Sequence, residues 1–560
     1  MLRALLNLFG DFMQHPFSRH ALALAATTLA AGLLVGCGKQ DAATPAASAA
    51  ASAQPSPSAQ ATDGKRLVLA LMGEPEQGFD PIKGWGRYGN PLFQSTLLKR
   101  TDKLEMEGDL ATEWTLSADK KTWTVTIRDD VKFSDGTPLT AEDVAFTFET
   151  GKKAAGVLDL NSMESAKALN PTTVEIKLTK PHITFLNSMV TIGIVPKHAY
   201  QADYSEKPMG SGPFQFVTWD KGQQLVIEPN PHYYGNKSPF ERITLLYTGE
   251  DASIAAARSG QAQIAVVTPS VAGTIPAGME RLVVQSVDNR GILFPMQPAG
   301  RKTADGKPIG NDVTADPAIR QAINIAIDRK KLTEGVLGGY GTPAWGVADG
   351  LPWDNPEQRL PDSDIEGAKA ILKQAGWVEK DGKLSKNGKP ARFSMLYPAN
   401  ENVRQSLALA VADMIKPLGI QVDIAGKSWN EIDREMHSSA VLFGWGSHDP
   451  LEIYNLYSAK MAGIEYYNAG YYSNPTVTQH LDKAQQANSF EESLPHWKNA
   501  MWDGKTGFGM KGDSAWAWMV NLQHIYFVNK CLDIGPRQIE PHGHGYPITW
   551  NMQDWKWTCK

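Results

Sequence analysis

The chain has 560 residues, longer than the roughly 250–300 residues at which one hydrophobic core stops growing, so we expect two or three folded units. Its net charge of −5 and the lack of any Lys/Arg run argue against nucleic-acid binding. Apolar and charged fractions of 42% and 21% are those of a globular protein and argue against a chain that is disordered throughout.

The N-terminal 36 residues have the pattern of a secretory signal peptide. Basic residues such as Arg3 and Arg19 precede an apolar, Ala-rich run that begins at Ala21 and is too short for a retained membrane span. The run closes with Leu34-Val35-Gly36-Cys37, which resembles a bacterial lipobox, in which the cysteine is acylated and becomes the mature N-terminus. The alternative is an ordinary signal peptide with an incidental cysteine. We therefore expect a protein lipid-anchored to a bacterial membrane, in the periplasm or at the cell surface.

After the signal peptide, the sequence predicts a disordered tether and then alternating strands and helices. Residues 37–64 are rich in Ala, Ser and Pro and predict a disordered tether. Residues 122–127 alternate Thr with Trp, Val and Ile, which predicts a half-buried strand. Asp316-Pro317 has the pattern of an N-cap and first residue of a helix, and residues 393–424 read as a strand–helix–strand unit. The fold class is therefore α/β.

Three passages resemble one protein family. The first runs through Ala111-Thr112-Glu113-Trp114 to Ser134-Asp135-Gly136-Thr137-Pro138, the second contains Gly210-Ser211-Gly212-Pro213-Phe214, and the third is Ile319-Arg320-Gln321-Ala322 through Asp328-Arg329-Lys330. In order and spacing they are similar to the family 5 extracellular solute-binding proteins, the peptide/nickel class of ABC-importer binding proteins. The resemblance extends from about residue 66 to the C-terminus.

The resemblance implies a two-lobe, periplasmic-binding-protein-like fold of type II, cluster C. Residues 65–288 and 522–560 would form lobe I, with an extra subdomain at about 97–204, and residues 289–521 would form lobe II. The chain crossings near Asn289 and Val520-Asn521 would form a hinge that closes the lobes around a ligand.

The loop Gly444-Trp445-Gly446-Ser447-His448-Asp449-Pro450 follows an apolar strand and is predicted to line the cleft. Peptide-binding members place an Asp three residues after this Trp, where it pairs with the α-amino group of the ligand. Here that position is His448, so either Asp449 substitutes for it or the ligand differs. The alternatives are a buried Trp445, a His448 bonded to backbone, and an Asp449 that starts a turn.

Two further segments supply candidate ligand-binding residues. Arg404 lies near the start of a predicted helix where peptide-binding members carry an Arg for the ligand carboxylate, and a guanidinium suits bidentate capture. The aromatic and basic residues of Gly84-Trp85-Gly86-Arg87-Tyr88-Gly89, namely Trp85, Arg87 and Tyr88, are the candidates of lobe I. A solvated surface Arg and a surface loop packed by its own aromatics are the alternatives.

The remaining cysteines and two histidines give weaker signals. Cys531 and Cys559 are a possible disulfide pair in an oxidising compartment, or two independent thiols. His542 and His544 lie two residues apart and are weak metal candidates, with backbone-bonded loop histidines as the alternative. No motif predicts a cofactor.

The sequence therefore predicts a monomeric substrate-binding lipoprotein that delivers a peptide or peptide-like ligand to an ABC permease and ATPase. A nickel or other metal-organic chelate is the alternative ligand, although residues 152–163 and 189–196, which match the arginine-bearing stretches of nickel-binding members, contain no Arg. A secreted hydrolase is a remote alternative, because no HExxH, GxSxG or Cys-His signal is present. A sensory or adhesion lipoprotein with the same fold is a third class.

Overall fold

The computed structural model describes residues 64–559, apart from residues 72, 76, 89, 155–157, 159, 400, 465 and 544. The predicted signal peptide, the predicted lipidation site Cys37 and all but the end of the predicted tether lie outside the described residues. Within the described ranges, no helix combines the length and apolarity needed to cross a bilayer.

The strands of the described chain range from two to fifteen residues. In chain order they are β1 (Arg66–Leu71), β2 (Leu98–Arg100), β3 (Met106–Gly108), β4 (Ala111–Leu116), β5 (Thr122–Ile127), β6 (Met163–Asn170), β7 (Thr173–Leu178), β8 (Phe214–Asp220), β9 (Gln224–Pro229), β10 (Arg242–Tyr247), β11 (Ile264–Val267), β12 (Met279–Leu293), β13 (Arg301–Lys302), β14 (Pro308–Ile309), β15 (Gly341–Pro343), β16 (Val378–Lys380), β17 (Lys383–Lys386), β18 (Lys389–Pro390), β19 (Arg392–Pro398), β20 (Gln421–Lys427), β21 (Ala440–Trp445), β22 (Trp516–Asn529), β23 (Leu532–Asp533) and β24 (Lys556–Trp557).

The helices are mostly short and fall between these strands. They are α1 (Ala141–Ala154), α2 (Leu186–Thr191), α3 (Glu250–Arg258), α4 (Pro317–Ala326), α5 (Arg329–Gly335), α6 (Ile365–Gln374), α7 (Asn402–Ile415), α8 (Trp429–Glu435), α9 (Leu451–Tyr457), α10 (Pro475–Gln485) and α11 (Phe490–Met501). Single 3-10 turns occur at Pro81–Lys83, Ile183–Phe185, Pro356–Gln358, Lys416–Leu418, Ala459–Met461, Pro547–Thr549 and Met552–Asp554.

One large mixed sheet organises the protein, with strand order β20-β19-β21-β12-β22-β11-β1-β10-β9-β8 and β15 added to β22. We call the half that contains β1 and β8–β11 the first lobe, and the half that contains β19–β21 the second lobe. The antiparallel strands β12 and β22 belong to both halves, and their register shifts between Gln285 and Asn289. The predicted hinge falls on this pair of strands.

A separate four-stranded sheet, β4-β5-β7-β6, packs with α1. Val125, Ile176 and Phe148 are fully buried between them and belong to one apolar core. We call this unit, together with β2, β3 and α2, the subdomain.

The local predictions are confirmed. Residues of β5 alternate between half-buried Thr and buried Trp, Val and Ile. The Asp316 side chain accepts a hydrogen bond from the Ala318 amide at the start of α4, with Pro317 as its first residue. Strands β19 and β20 pair in parallel and are connected by α7, as the strand–helix–strand pattern predicts. The chain is therefore of mixed α/β class.

Candidate functional site

A cavity of about 660 Å³ lies among several segments of the chain, three of which supply most of its lining. Its first wall is residues 87–109 of the first lobe and subdomain, its second is residues 447–449 after β21, and its third is residues 533–556 near the C-terminus. Small organic ligands occupy pockets of roughly 300–1,000 Å³. The cavity is therefore a candidate ligand site of suitable size.

Charged side chains of both signs line this cavity. The cations include Arg87, Lys99 and Arg100, and the carboxylates include Asp102, Asp533 and Asp554. A wall of this kind matches a ligand that carries both a positive and a negative group, because each end finds an opposite charge.

Several cavity-lining polar atoms have no hydrogen-bond partner among the described residues. They are Gln94 Oε1, His448 Nε2, Trp550 Nε1 and Gln553 Oε1. A buried polar group without a partner costs about 1–3 kcal/mol, so partners that satisfy these atoms are favoured here. Gln94 is itself almost fully buried, and its amide nitrogen bonds the Phe79 carbonyl at 3.3 Å and the Tyr204 hydroxyl at 2.9 Å. Those bonds fix the direction of Gln94 Oε1.

His448 contributes a neutral imidazole to the cavity. Burial lowers the pKa of His448 to about 3, and the nearby Arg100 guanidinium acts in the same direction. A neutral ring keeps one nitrogen as an acceptor, so His448 offers hydrogen bonding without charge at neutral pH.

Hydrogen bonds join the second lobe to the subdomain at the edge of this cavity. Asn187 Nδ2 donates to Asp449 Oδ1 at 2.8 Å, and Arg100 Nη2 donates to the His448 carbonyl at 3.0 Å. Arg100 also donates to Asn187 Oδ1, and the Leu451 amide donates to Asp449 Oδ1 at 2.9 Å. Asp449 therefore bridges the two sides of the cleft and supports the first turn of α9. Burial lowers the pKa of Arg100 to about 10.

Four of the predicted ligand residues line the cavity: Arg87, Tyr88, His448 and Asp449. The Arg87 guanidinium lies over the Tyr88 ring, 4.7 Å from its centroid, and donates to the Tyr88 hydroxyl at 3.2 Å. The two side chains therefore support each other at the cavity wall.

The two predicted tryptophans take other positions. Trp85 is buried, donates its indole N–H to the Pro91 carbonyl at 2.7 Å and packs edge-on against Phe79. Trp445 is half-buried with its ring 5.7 Å from that of Tyr467. Neither ring is part of the cavity lining. The buried position of Trp85 differs from the surface-loop alternative considered for its segment.

Arg404 lies inside the second lobe rather than at the cavity. It is 4% exposed, its Nε lies 2.6 Å from Glu401, and its Nη1 donates to the Leu442 carbonyl at 3.1 Å. The guanidinium also lies over the Trp429 ring at 5.6 Å. From α7 the Arg404 side chain points toward β21, an orientation that the sequence pattern alone does not predict.

His542 belongs to a buried ionic cluster at the crossing of β12 and β22. It pairs with Asp288, which also contacts Arg290 and His524. Burial alone would raise the pKa of Asp288, but the Arg290 and His542 charges hold it well below its usual range. His544 lies outside the described residues, and the described part of the chain holds no group of three or more His, Cys, Asp or Glu placed to bind a metal.

Sequence reasoning missed several residues that line this cavity or lie at its edge. Arg100, Asn187 and Gln94 lie outside the recognised motifs, and their roles depend on contacts between distant segments. The C-terminal wall was also missed, although Cys531 and Cys559 at its two ends are a sequence signal for a closed loop. The structure joins them in a disulfide with a Cα–Cα distance of 5.1 Å.

The model of the bacterial extracellular solute-binding proteins, family 5 middle region, matches residues 105–463, more than half of the chain. The chain belongs to this family. It is 32% identical to protein XP55 of Streptomyces lividans over 482 residues, which cover 82% of this chain and 84% of XP55. It is 27% identical over 424 residues to the oligopeptide-binding protein AppA of Bacillus subtilis, covering 67% and 74% of the two chains.

Solved structures of family proteins share the fold. The NikZ protein of Campylobacter jejuni, in complex with Ni(L-His), superposes with a TM-score of 0.75 at 23% identity, covering 88% of this chain and 99% of NikZ. AppA of Bacillus subtilis in complex with a nonapeptide gives 0.68 at 21% identity, covering 88% and 99%. These likenesses show the two-lobe fold of solute-binding proteins. The family relatives are substrate-binding transport proteins and not enzymes.

Proposed function

We propose that this solute-binding protein captures a short peptide or peptide-like ligand in the cavity between its lobes and delivers it to the permease and ATPase of an ABC importer. The observation that carries the peptide assignment is the cavity wall, which combines both signs of charge with unpartnered polar atoms. A peptide carries an ammonium, a carboxylate and a row of amide groups, so it matches all three kinds of wall group.

Groups of opposite charge are available on different walls of the cavity. Arg87 is exposed on the first wall and offers a planar guanidinium to a carboxylate. Asp533 is exposed on the third wall and suits an ammonium group. Gln94 and neutral His448 are uncharged polar residues of the cavity lining and suit the amide groups of a peptide. Recognition of this kind depends on the main chain of the ligand and leaves its side chains less constrained.

Closure of the lobes would enclose the ligand. The bonds Asn187–Asp449 and Arg100–His448 carbonyl span the cleft, so they form only when the second lobe meets the subdomain. The shared strands β12 and β22 are the hinge of this motion.

A metal chelate is the second candidate ligand. The observation that favours it is the joint placement of Arg87, Arg100 and neutral His448 at one cavity. Arginines suit an anionic chelator and a neutral imidazole is a metal ligand. NikZ, which was solved with Ni(L-His), has the same fold.

We also propose that the protein acts as a monomer held by a lipid on Cys37, in the periplasm or at the cell surface of a bacterium. The lipobox-like Leu34-Val35-Gly36-Cys37 supports the anchor, and the Ala/Ser/Pro-rich residues 38–64 would let the body reach both solvent and transporter. Mass spectrometry of the mature N-terminus tests the anchor, since acylated Cys37 would be its first residue.

Native mass spectrometry of the full chain, purified in mild detergent, tests the ligand class. We expect short peptides to be released on denaturation, and added peptides to raise the melting temperature. The Arg87→Ala variant should retain fewer of them, whereas Arg434→Ala, on α8 and outside the cavity lining, is the matched control. A single metal-containing small molecule would overturn the peptide assignment in favour of the chelate. Turnover of the bound ligand would overturn the receptor assignment.

A further inference from the structure

The C-terminal wall of the cavity is a closed covalent loop. Eleven of the 31 residues that line the cavity lie between Cys531 and Cys559, which are 28 positions apart and disulfide-bonded. The bond therefore encloses more than a third of the cavity lining.

Two charged lining residues lie next to the disulfide. Asp533 on β23 and Lys556 on β24 are opposite each other in a two-residue antiparallel ladder, whose other pair is Leu532 and Trp557. A two-residue ladder is marginal on its own. Beyond it, the Thr558 amide donates to the Cys531 carbonyl at 2.7 Å.

The middle of the loop is anchored independently of the disulfide. Met552 and Trp555 are fully buried in the first-lobe core. Arg537 lies against the Trp550 and Trp555 rings and donates to the Ile548 carbonyl at 3.0 Å. The ends of the loop are held less deeply: Leu532 is buried in the same core and Trp557 packs against it, but the side chains of Asp533 and Lys556 are exposed.

We propose that the Cys531–Cys559 disulfide is a positioning device for the ligand site: it holds Asp533 and Lys556 opposite each other as a charged subsite for one end of the ligand. Terminal segments fray unless they are tied down, and frayed side chains must be ordered again when a ligand binds. The bond, together with the core contacts of Leu532 and Trp557, would lower that cost before binding. The inference rests on the proposed function for its ligand, but not for the order of the ladder.

The first test measures the ladder without any ligand. Hydrogen exchange is compared between the full wild-type chain and a C531S/C559S variant. We expect faster exchange at residues 532–533 and 556–558 in the variant and unchanged exchange in β19 of the second lobe. Unchanged exchange at the ladder would overturn the proposal. If the variant does not fold, the folded wild-type protein is treated with mild dithiothreitol instead. The reagent reduces the disulfide to two thiols and is itself oxidised to its cyclic disulfide.

The second test measures binding of trialanine, with Ni(L-His) as a parallel probe. We expect the disulfide variant and an Asp533→Ala/Lys556→Ala variant each to weaken binding by about fivefold. Combining all four substitutions should add little, because the bond acts through these two side chains. Additive losses, or full affinity in the disulfide variant, would overturn the positioning role. If the wild-type protein binds neither trialanine nor Ni(L-His), the proposed function is wrong for these two ligands. The hydrogen-exchange result is independent of ligand binding and still decides whether the disulfide orders the ladder.

Discussion

Asn187 of α2 and Asp449, at the start of α9, are 262 positions apart in sequence, and their side chains meet in a 2.8 Å hydrogen bond across the cleft. The bond joins the subdomain to the second lobe. Since Arg100 contacts Asn187 and the His448 carbonyl, the three polar contacts form one connected group at the edge of the cavity. If the proposed function holds, closure and ligand recognition would be coupled through the same loop, residues 447–449.

An Asn187→Ala substitution should weaken ligand binding without unfolding the protein. A hydrogen bond to a charged group contributes about 1.5–3 kcal/mol, and under the proposed closing motion this bond would form only in the closed form. We expect a loss of affinity of about tenfold by isothermal titration calorimetry with the peptide that co-purifies. Asn430→Ala, exposed on α8, is the control. Equal affinity in the two variants would show that the bond does not stabilise closure.

Arg404 should matter for stability rather than for binding. Arg404→Met removes the contacts with Glu401 and the Leu442 carbonyl inside the second lobe. We expect the free energy of unfolding in urea to fall by about 2–3 kcal/mol, with ligand affinity within twofold of wild type. A large loss of affinity at unchanged stability would instead support the ligand role predicted from the sequence.

Glu452 should make the free energy of unfolding depend on pH between about 4.5 and about 8. Burial raises its pKa to about 8 from the ordinary value of 4.5, and the Gly446 and Ser447 amides donate to it at 3.1 and 3.2 Å. Because the unfolded chain releases this proton at lower pH than the folded chain, stability from this group is lost as pH rises from about 4.5 to about 8. Thermal unfolding across this range should show a smaller loss in Glu452→Gln than in wild type.

The exposed Glu366 on α6 offers a matched control for that pH experiment, since Glu366→Gln removes a carboxylate outside the cavity lining. Its pH profile should follow that of the wild-type protein. A Glu452→Gln profile parallel to wild type would contradict the raised pKa.

Substitutions of Trp85 and Tyr88, which lie in one short segment, should have different effects: the first mainly on stability and the second mainly on ligand affinity. Trp85→Ala opens a cavity beside Phe79 and Tyr546 and should cost about 3–5 kcal/mol of unfolding free energy. Tyr88→Ala removes a half-buried ring at the cavity wall and should lower ligand affinity with a much smaller stability loss. Denaturant titration and calorimetry on both variants measure the two effects. Similar stability losses in the two would argue against this division.

Local patterns predicted the elements well because they depend on near neighbours. The alternation in β5, the Asp316 cap of α4 and the parallel β19–α7–β20 unit each follow from spacing or turn chemistry. The family resemblance then supplied the two-lobe arrangement, which no local pattern contains. The boundaries of the lobes stay predictions.

The candidate site was only partly predictable because it is assembled from segments far apart in the chain. Arg87 and His448 were found because each lies in a Gly-rich loop with aromatics. The sequence placed Arg404 on a helix but did not show which face of the helix it occupies. In the structure its side chain is buried inside the second lobe. The roles of Asn187 and Arg100 depend on their contacts with the loop at 447–449. The spacing of residues along the chain does not predict contacts between such distant segments.

The continuity of β12 and β22 affects how this receptor would respond to its ligand. Two lobes on a flexible linker would sample many relative orientations, whereas lobes that share an antiparallel strand pair are restricted to the bending and twisting that the pair allows. The closing path would then be narrow and elastic, and we expect the pair to bend most easily where its register shifts between Gln285 and Asn289. Substitutions at this flexure point should change opening and closing rates together with the resting angle, even though they lie outside the cavity.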